Sequence, residues 1–332
     1  MKTHKYKSAF FILLVMLTAG VRAQTIKVGS IAPDRSPWND ALQEIGREWL
    51  RISDGKVRLR IYPGGIAGSE EDMIRKIRLG TLGAALLTNV GMSKLHDDAF
   101  VMNVPFIFHD EAELGYVLEK MKPVFEEKIE EKGFKVIVWS MSGWLHFFSK
   151  DRVLTPDDLK RHKLSFMTGE PELEQAFKKA GYHIVPTELN DLMMALQSGM
   201  VNAFYLSPLL AGSGQYFPFA PNMLDLKVSP LLGGIVVSAR IWRQIPPEQQ
   251  KAMLEVSARI SSRLVKEADE VEKKTMAAMK EHGLKVVEVN PQIAQSWRES
   301  SGEGMEELVG KSFSKEVYDL VLRHLQEYRR NK

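Results

Sequence analysis

The stretch that decides the fold is TPDDLKRHKLSFM, Thr155 to Met167, together with DLMMALQSGMVNAFYLSP, Asp191 to Pro208. Thr155, Pro156, Asp157 and Asp158 read as a helix start: a hydroxyl N-cap, proline at the first helical position, and an acid at the third that completes a capping box. A short strand is predicted at Lys163 to Met167, then a helix from about Pro171 and a strand near His183 to Pro186. A helix through Leu192 to Gln197 and a buried strand at Val201 to Leu206 close the stretch.

Outward from this centre, Thr25 to Ala32 predicts a first buried strand, followed by a turn at Pro33 to Pro37 and an amphipathic helix carrying Trp38, Leu42, Ile45 and Trp49. In KVRLRIYP, Val57, Leu59 and Ile61 alternate with Lys56, Arg58 and Arg60, the pattern of a half-buried strand. Gly64, Gly65 and Gly68 make a loop. Ser69 caps the next helix with Asp72 at its third position, and Ala84 to Leu87 is a second buried strand. Strands and helices alternating in this order predict a parallel sheet with right-handed crossovers. Past Gly133, FKVIVWSMSGW is the strand expected to carry the chain into a second lobe, and VSPLLGGIVVSA (Val228 to Ala239) the strand returning it. Pro246-Pro247-Glu248 open a helical pattern that continues without Gly or Pro to His282, roughly 50 Å and longer than one small lobe. Lys285 to Val289 is a last short strand, followed by helices near Pro291 to Val309 and Ser314 to Arg329.

The 332 residues, 44% of them hydrophobic, suit a globular chain of two lobes. The N-terminus has a basic start, an apolar run from Ala9 to Leu17 and Val21-Arg22-Ala23 before Gln24. It reads as a secretory signal peptide cut after Ala23, short of the ~18 apolar residues of a membrane span. It also carries Lys2, Lys5, Lys7 and Arg22 and no acid, so the formal charge of +3 becomes −1 without it. The basic balance is thus no argument for nucleic-acid binding, and no basic stripe with interleaved aromatics supports it. Zero cysteines exclude a disulfide framework, a thiolate metal site and a cysteine lipid anchor. The eight histidines show no metal-ligand spacing, and neither HExxH nor GxSxG occurs. No catalytic residue, metal site or cofactor is expected; Glu70, Glu71 and Asp72 are the acidic first turn of a helix, and His109-Asp110-Glu111 are consecutive, not on one face.

The central stretch resembles the solute-binding proteins of tripartite ATP-independent periplasmic (TRAP) transporters. Their peDlkGlKiR and EvYxALQxGxVDGqEN motifs stand in register with Pro156-Asp157-Asp158-Leu159-Lys160, Lys163-Leu164 and Ala195-Leu196-Gln197-Ser198-Gly199-Met200-Val201. IYPGGIAGSEEDMIRKIRLGTLGAA and Val104-Pro105-Phe106-Ile107-Phe108 resemble two further family blocks, so the likeness covers about Ile26 to Leu210. It implies an α/β periplasmic-binding-protein-like fold with two α/β lobes, a ligand cleft between them and a long helix spanning both. Lobe I is expected at 24–142 plus 232–271 and lobe II at 143–231 plus 272–332. The implied function is periplasmic capture of a solute by hinge closure and its delivery to membrane permease subunits.

The departures from the motifs concern the ligand. In the family a carboxylate is clamped by the arginine of KiR, whose planar fork makes two parallel charge-assisted bonds. Here that position is Ser165, and a second arginine position falls on Leu145. The polar residue after the first strand aligns with Ile31, and the end of DGqEN with Phe204, Tyr205 and Leu206. A carboxylate left without either cation in a closed cleft would cost several kcal/mol. The expectation is therefore a small apolar or amphipathic ligand, each buried methylene contributing roughly 0.8 kcal/mol. Trp144, Leu145, Phe147, Met167, Leu189, Phe204 and Leu206 would form the wall, with Ile31, Trp38, Ser165 and Tyr205 beside it and Thr88 and Asn89 as polar contacts. Such cargo suggests handover between proteins, as in the TRAP subgroup that works with a tetratricopeptide-repeat protein. Each residue also has a plainer role: Phe204 and Leu206 as strand core, Trp38 and Trp144 as packing anchors, Thr88 and Asn89 as turn formers. The alternatives are a carboxylate carrier whose cation comes from Arg35, Lys94 or Arg240, and a sensor or interaction protein on the same fold.

Overall fold

In the computed structural model of the chain, residues 24–167, 171–305 and 308–332 are described; the expected leader lies outside them. The first half begins with β1 (Gln24–Ser30), α1 (Pro37–Ile52), β2 (Val57–Tyr62), α2 (Glu70–Arg78), β3 (Ala84–Leu87) and α3 (Asn89–Leu95). Local chemistry places these elements. Ser36 accepts the Asn39 N–H to start α1, and Ser69 and Asp72 form the capping box of α2. A 3₁₀ segment (Asp97–Asn103) and α4 (Glu111–Glu131) follow. The chain then enters β4 (Phe134–Ser149), a 16-residue strand that belongs to both halves.

The second half contains α5 (Pro156–Lys160), β5 (Lys163–Met167), α6 (Pro171–Lys179), β6 (His183–Thr187), α7 (Leu192–Gln197), β7 (Ala203–Leu206), α8 (Pro208–Ser213) and β8 (Asn222–Leu224). Here Thr155 donates its N–H and its hydroxyl to Asp158 Oδ2, each at 2.9 Å, fixing the entry to α5. The return strand β9 (Ser229–Ser238) leads through α9 (Ala239–Trp242) into α10 (Pro247–Glu281). β10 (Lys285–Val287), α11 (Pro291–Met305) and α12 (Lys315–Arg330) finish the chain.

The strand order is β2-β1-β3-β9-β4-β7-β5-β6, with β8 on β4 and β10 on β8. β1, β2 and β3 are parallel; β9 is antiparallel to β3, and β4 antiparallel to β9. β4 therefore runs with β3 and continues into the second half, where β7 and β8 run against it and β5, β6 and β10 run with them. It follows that the parallel strands of both halves end at the seam between two lobes, the place where open α/β sheets hold ligands. Register shifts in the β4–β9 ladder between Val136 and Val138 and between Met141 and Trp144 mark the crossing.

Three cores hold this arrangement. One face of the first half packs Ile26, Val28, Ile45, Trp49 and Ile137 against Trp242, Met253 and Ile260. The outer face of the second half packs Phe148, Phe204 and Leu206 against Leu196, Ala211 and Met279. The third core runs across the seam from Met73 and Phe100 to Phe166 and Trp297. α10 packs on α1, β4 and α8, so one helix braces both lobes, as its length of 35 residues allows.

Candidate functional site

The carboxyl ends of β1 and β3 bring Ile31, Thr88 and Asn89 to the seam. Ile31 is 40% exposed, a large apolar side chain in open water. Trp38, in the first turn of α1, donates its Nε1–H to Ser142 Oγ at 3.0 Å and thereby ties the first lobe to the crossing strand. Thr88 is engaged by a neighbour: its N–H donates to Glu70 Oε1 at 2.5 Å and its hydroxyl to Oε2 at 2.8 Å. Burial pushes the Glu70 carboxyl above the usual range, and these bonds, with one from the Gly91 N–H, only partly offset it.

The crossing strand carries the next group. Gly143 has φ +103°, and a Cβ there would lie 3.1 Å from Glu272 Oε2, so the long helix brings a carboxyl against bare backbone. The Leu209 N–H also reaches Glu272, whose carboxyl is pushed up to about 7 by burial, with Asp269 and Glu111 adding to the effect. Trp144 is buried; its Nε1–H donates to Glu111 Oε1 at 2.8 Å, and the Lys227 ammonium lies 5.2 Å from the centre of its ring. Lys227 in turn pairs with Glu111 at 2.7 Å.

The remaining apolar positions are packed. Leu145 and Phe147 belong to the seam-crossing core, Phe147 stacking on Trp297 at 5.4 Å and lying 5.8 Å from Tyr205. Because strand side chains alternate, Tyr205 and Ala203 face that core while Phe204 and Leu206 face the outer core of the second lobe. The Phe204 ring stacks on Phe148 at 4.8 Å with only 9° between planes. Ser165 is buried in β5, in register with Phe204 and Val185, and Leu189 packs partly against the same core. The Met167 side chain lies outside the described residues.

Of the cations weighed for a displaced role, Arg240 lies beside Gly80, at the amino end of β3 and remote from the seam. Arg35 follows β1 at φ +61°, exposed. Lys94, in the last turn of α3, pairs with Glu71 at 3.2 Å. Two cavities occur near the seam. One, of about 240 Å³, is bordered by Phe106, Phe108, His109, Lys227 and Arg298. The other, of about 180 Å³, lies between Ser93, Lys94, Asp97 and Phe100 of the first lobe, Pro171, Glu172 and Leu173 of α6, and Lys311 and Ser312 near the C-terminus. Among the described residues no three His, Asp or Glu side chains are grouped as metal ligands. Sequence reasoning missed Asp97, Glu172, Glu272, Lys311 and Ser312, because they come from distant segments and share no spacing that a motif could expose.

The model of the family described as bacterial extracellular solute-binding protein, family 7 (DctP), matches residues 28–315. The chain is 24% identical over 293 residues to the 2,3-diketo-L-gulonate-binding periplasmic protein YiaO of Escherichia coli K12, covering 86% of this chain and 88% of that one. Its fold is similar to that of a TRAP periplasmic solute-binding protein of Xanthobacter autotrophicus Py2 solved with bound β-D-galacturonate, with a TM-score of 0.80, 17% identity and coverage of 91% and 99%. It is similar too to one of Haemophilus influenzae solved with L-gulonate, with a TM-score of 0.79, 20% identity and coverage of 93% and 99%. Two lobes joined by β4, β9 and α10, with strand ends meeting at the seam and a family match spanning nearly the whole described chain, lead to one conclusion: the chain belongs to the DctP family of TRAP solute-binding proteins, a family of periplasmic receptors.

Proposed function

We propose that the protein captures a small polar organic acid between its lobes and delivers it to a TRAP membrane permease. The observation that carries this reading is the packing of the expected apolar wall. Phe147, Phe204 and Leu206 are each at most 2% exposed, and Phe204 is stacked on Phe148, so these side chains already spend their apolar surface on lobe cores. The two cavities described near the seam are small and bordered by charged groups, which disfavours a greasy ligand in them because the charges would lose water without gaining partners. A sugar acid or similar carboxylate, the kind of solute named for the three relatives, suits such walls. This is the carboxylate carrier with a relocated cation, in place of the apolar cargo that loss of the arginines at Leu145 and Ser165 suggested.

In mechanism, ligand contacts made only in the closed form shift the population from open to closed lobes. Lobe I would comprise 24–142 and 232–271, joined by α12, which packs on α4, and lobe II 143–231 and 272–305, after export and removal of 1–23. The tetratricopeptide-repeat partner was tied to insoluble cargo and loses its motive with it. The test is thermal unfolding and calorimetry of the protein with galacturonate, glucuronate, L-gulonate and palmitate. A ligand at 100 times its Kd stabilises by ~2.7 kcal/mol. One of the acids should raise the melting temperature with 1:1 binding. Retention of palmitate, with no response to any acid, would overturn the reading.

A further inference from the structure

We propose that Glu272 makes the angle between the two lobes depend on pH: as the neutral acid it seats α10 against the crossing of β4, and as the carboxylate it drives the two apart. The effect needs no solute, so it does not depend on which ligand the cleft takes.

The geometry is that of a hinge with a side chain lodged in it. Two of the lobe boundaries proposed above fall at Gly143 on β4 and at Glu272 on α10, and these residues touch. A Cβ at Gly143 would lie 3.1 Å from Glu272 Oε2 and 3.9 Å from the Ser207 Cβ, so the carboxyl uses room that only glycine leaves. Gly143 has φ +103°, and the β4–β9 register shifts between Met141 and Trp144. A ladder interrupted in this way bends more readily than a regular one. Met141 stands opposite Leu232 and Trp144 opposite Pro230, which puts the remaining boundary, in β9, at the same level. Any rotation of one lobe against the other therefore changes the spacing between Glu272 and Gly143.

The charges around the carboxyl make that spacing sensitive to its proton. The Leu209 N–H, at the start of α8, donates to Glu272. Neither α8 nor β4 from Trp139 to Leu145 carries a titratable side chain. Asp269 on α10 and Glu111 in the first turn of α4 add negative charge, and Lys227 is the cation in the field. Lys227 is already paired with Glu111 at 2.7 Å, and Asp269 with Lys273 at 2.7 Å. Burial pushes the Glu111 carboxyl up, but the Lys227 and Trp144 bonds outweigh it and hold that carboxyl below its ordinary range. Glu111 thus remains charged where Glu272 titrates.

The neutral acid accepts the Leu209 N–H and rests on the Gly143 backbone without water. The carboxylate needs water on its free lone pairs, and water reaches them when α10 and β4 separate. Seated, Glu272 keeps its proton up to about 7; spread into water, it would keep it only to the ordinary 4.5. The seated form is therefore favoured fully below about 4.5, and the preference is lost as pH rises through about 7. With screening, the ratio of seated to spread molecules should fall about 10-fold over this range.

The chain has no cysteine, so spin labels at Gln43→Cys on α1 and Gln175→Cys on α6, both exposed, report the spacing of the lobes alone. Double electron–electron resonance is recorded without ligand at pH 5 and 8.5, in this labelled parent and with Glu272→Gln added. In the parent, weight should move between two interlobe distances, their ratio changing about 10-fold. Glutamine keeps the acceptor and carries no charge, so the variant should show the parent's pH 5 distribution at both values. Identical parent distributions at the two pH values would overturn the proposal, whether or not the variant folds well. The same pH shift in Glu272→Gln would overturn it too, because another group would then be responsible. Neither result bears on the solute, which the binding assays test separately.

Discussion

Replacing Glu272 with glutamine should stabilise the protein at pH 8 and leave it nearly unchanged at pH 4.5. Glu272 lies on α10 at the crossing of the lobes, against Gly143, with the Leu209 N–H as its partner and Asp269, Glu111 and Lys227 in its field. Burial pushes its carboxyl from an ordinary value of 4.5 to about 7. The folded state therefore binds the proton more tightly than the unfolded chain. That preference favours folding fully below about 4.5, where both states are protonated, and is lost as pH rises through about 7. The whole gap corresponds to roughly 3 kcal/mol. Because the side chain remains partly open to water, screening reduces this to on the order of 1–2 kcal/mol. With an unfolding entropy of ~2.1 cal/mol/K per residue, a chain of ~300 residues gains about 2–3 °C. Glutamine keeps the acceptor for Leu209 and removes the charge. Differential scanning fluorimetry of both proteins between pH 4.5 and 8.5 reads the effect as a melting difference that opens with pH. A difference that is constant with pH, or glutamine lowering the melting temperature at pH 8, would refute the argument.

Two substitutions test the packing of the lobes. Phe204→Ala removes a fully buried ring stacked on Phe148 and should cost about 3–5 kcal/mol, read as a fall of about 5–8 °C in melting temperature. Affinity of the folded fraction for an acid ligand should stay within about threefold; a far larger loss would return Phe204 to the ligand wall. Gly233→Ala places a Cβ 2.2 Å from the Leu87 carbonyl oxygen, which is backbone and must shift with its strand. A loss of at least ~2 kcal/mol in chemical denaturation is expected, and an unchanged midpoint would show that β3 and β9 separate there without strain.

What the sequence revealed was what local chemistry governs. The capping residues of α2 and α5, the alternation in β2 and the uninterrupted helical pattern of α10 each predict their element within a few residues, and the family motifs add the order of the lobes. α4 has a regular buried stripe at Leu114, Val117, Met121, Phe125 and Ile129, but Pro123 inside it argues locally against a helix and hides it from a reading of breakers. β4 was read only to Trp144; it continues past Gly143 to Ser149 because the partner strands of the second lobe extend it. For the site, residue type could not distinguish Phe204 in a core from Phe204 on a wall. Both β7 faces are covered, one by the seam-crossing core and one by α7, α8 and the end of α10, and only tertiary packing decides that. The charged cavity was illegible for a different reason: its residues meet only after α3, α6 and the loop past α11 have docked.

The brace made by α10 bears on the order in which the chain can fold. Trp49 donates its indole N–H to Ser257, and the core around it is closed by Trp242, Met253 and Ile260, more than 190 positions further along the chain. Neither lobe is a contiguous segment, so a nascent chain lacking its C-terminal helices has no complete core to collapse upon. Contacts of such long sequence separation form slowly. The same interleaving that braces the finished molecule thus delays closure of either lobe until the C-terminal helices have been made.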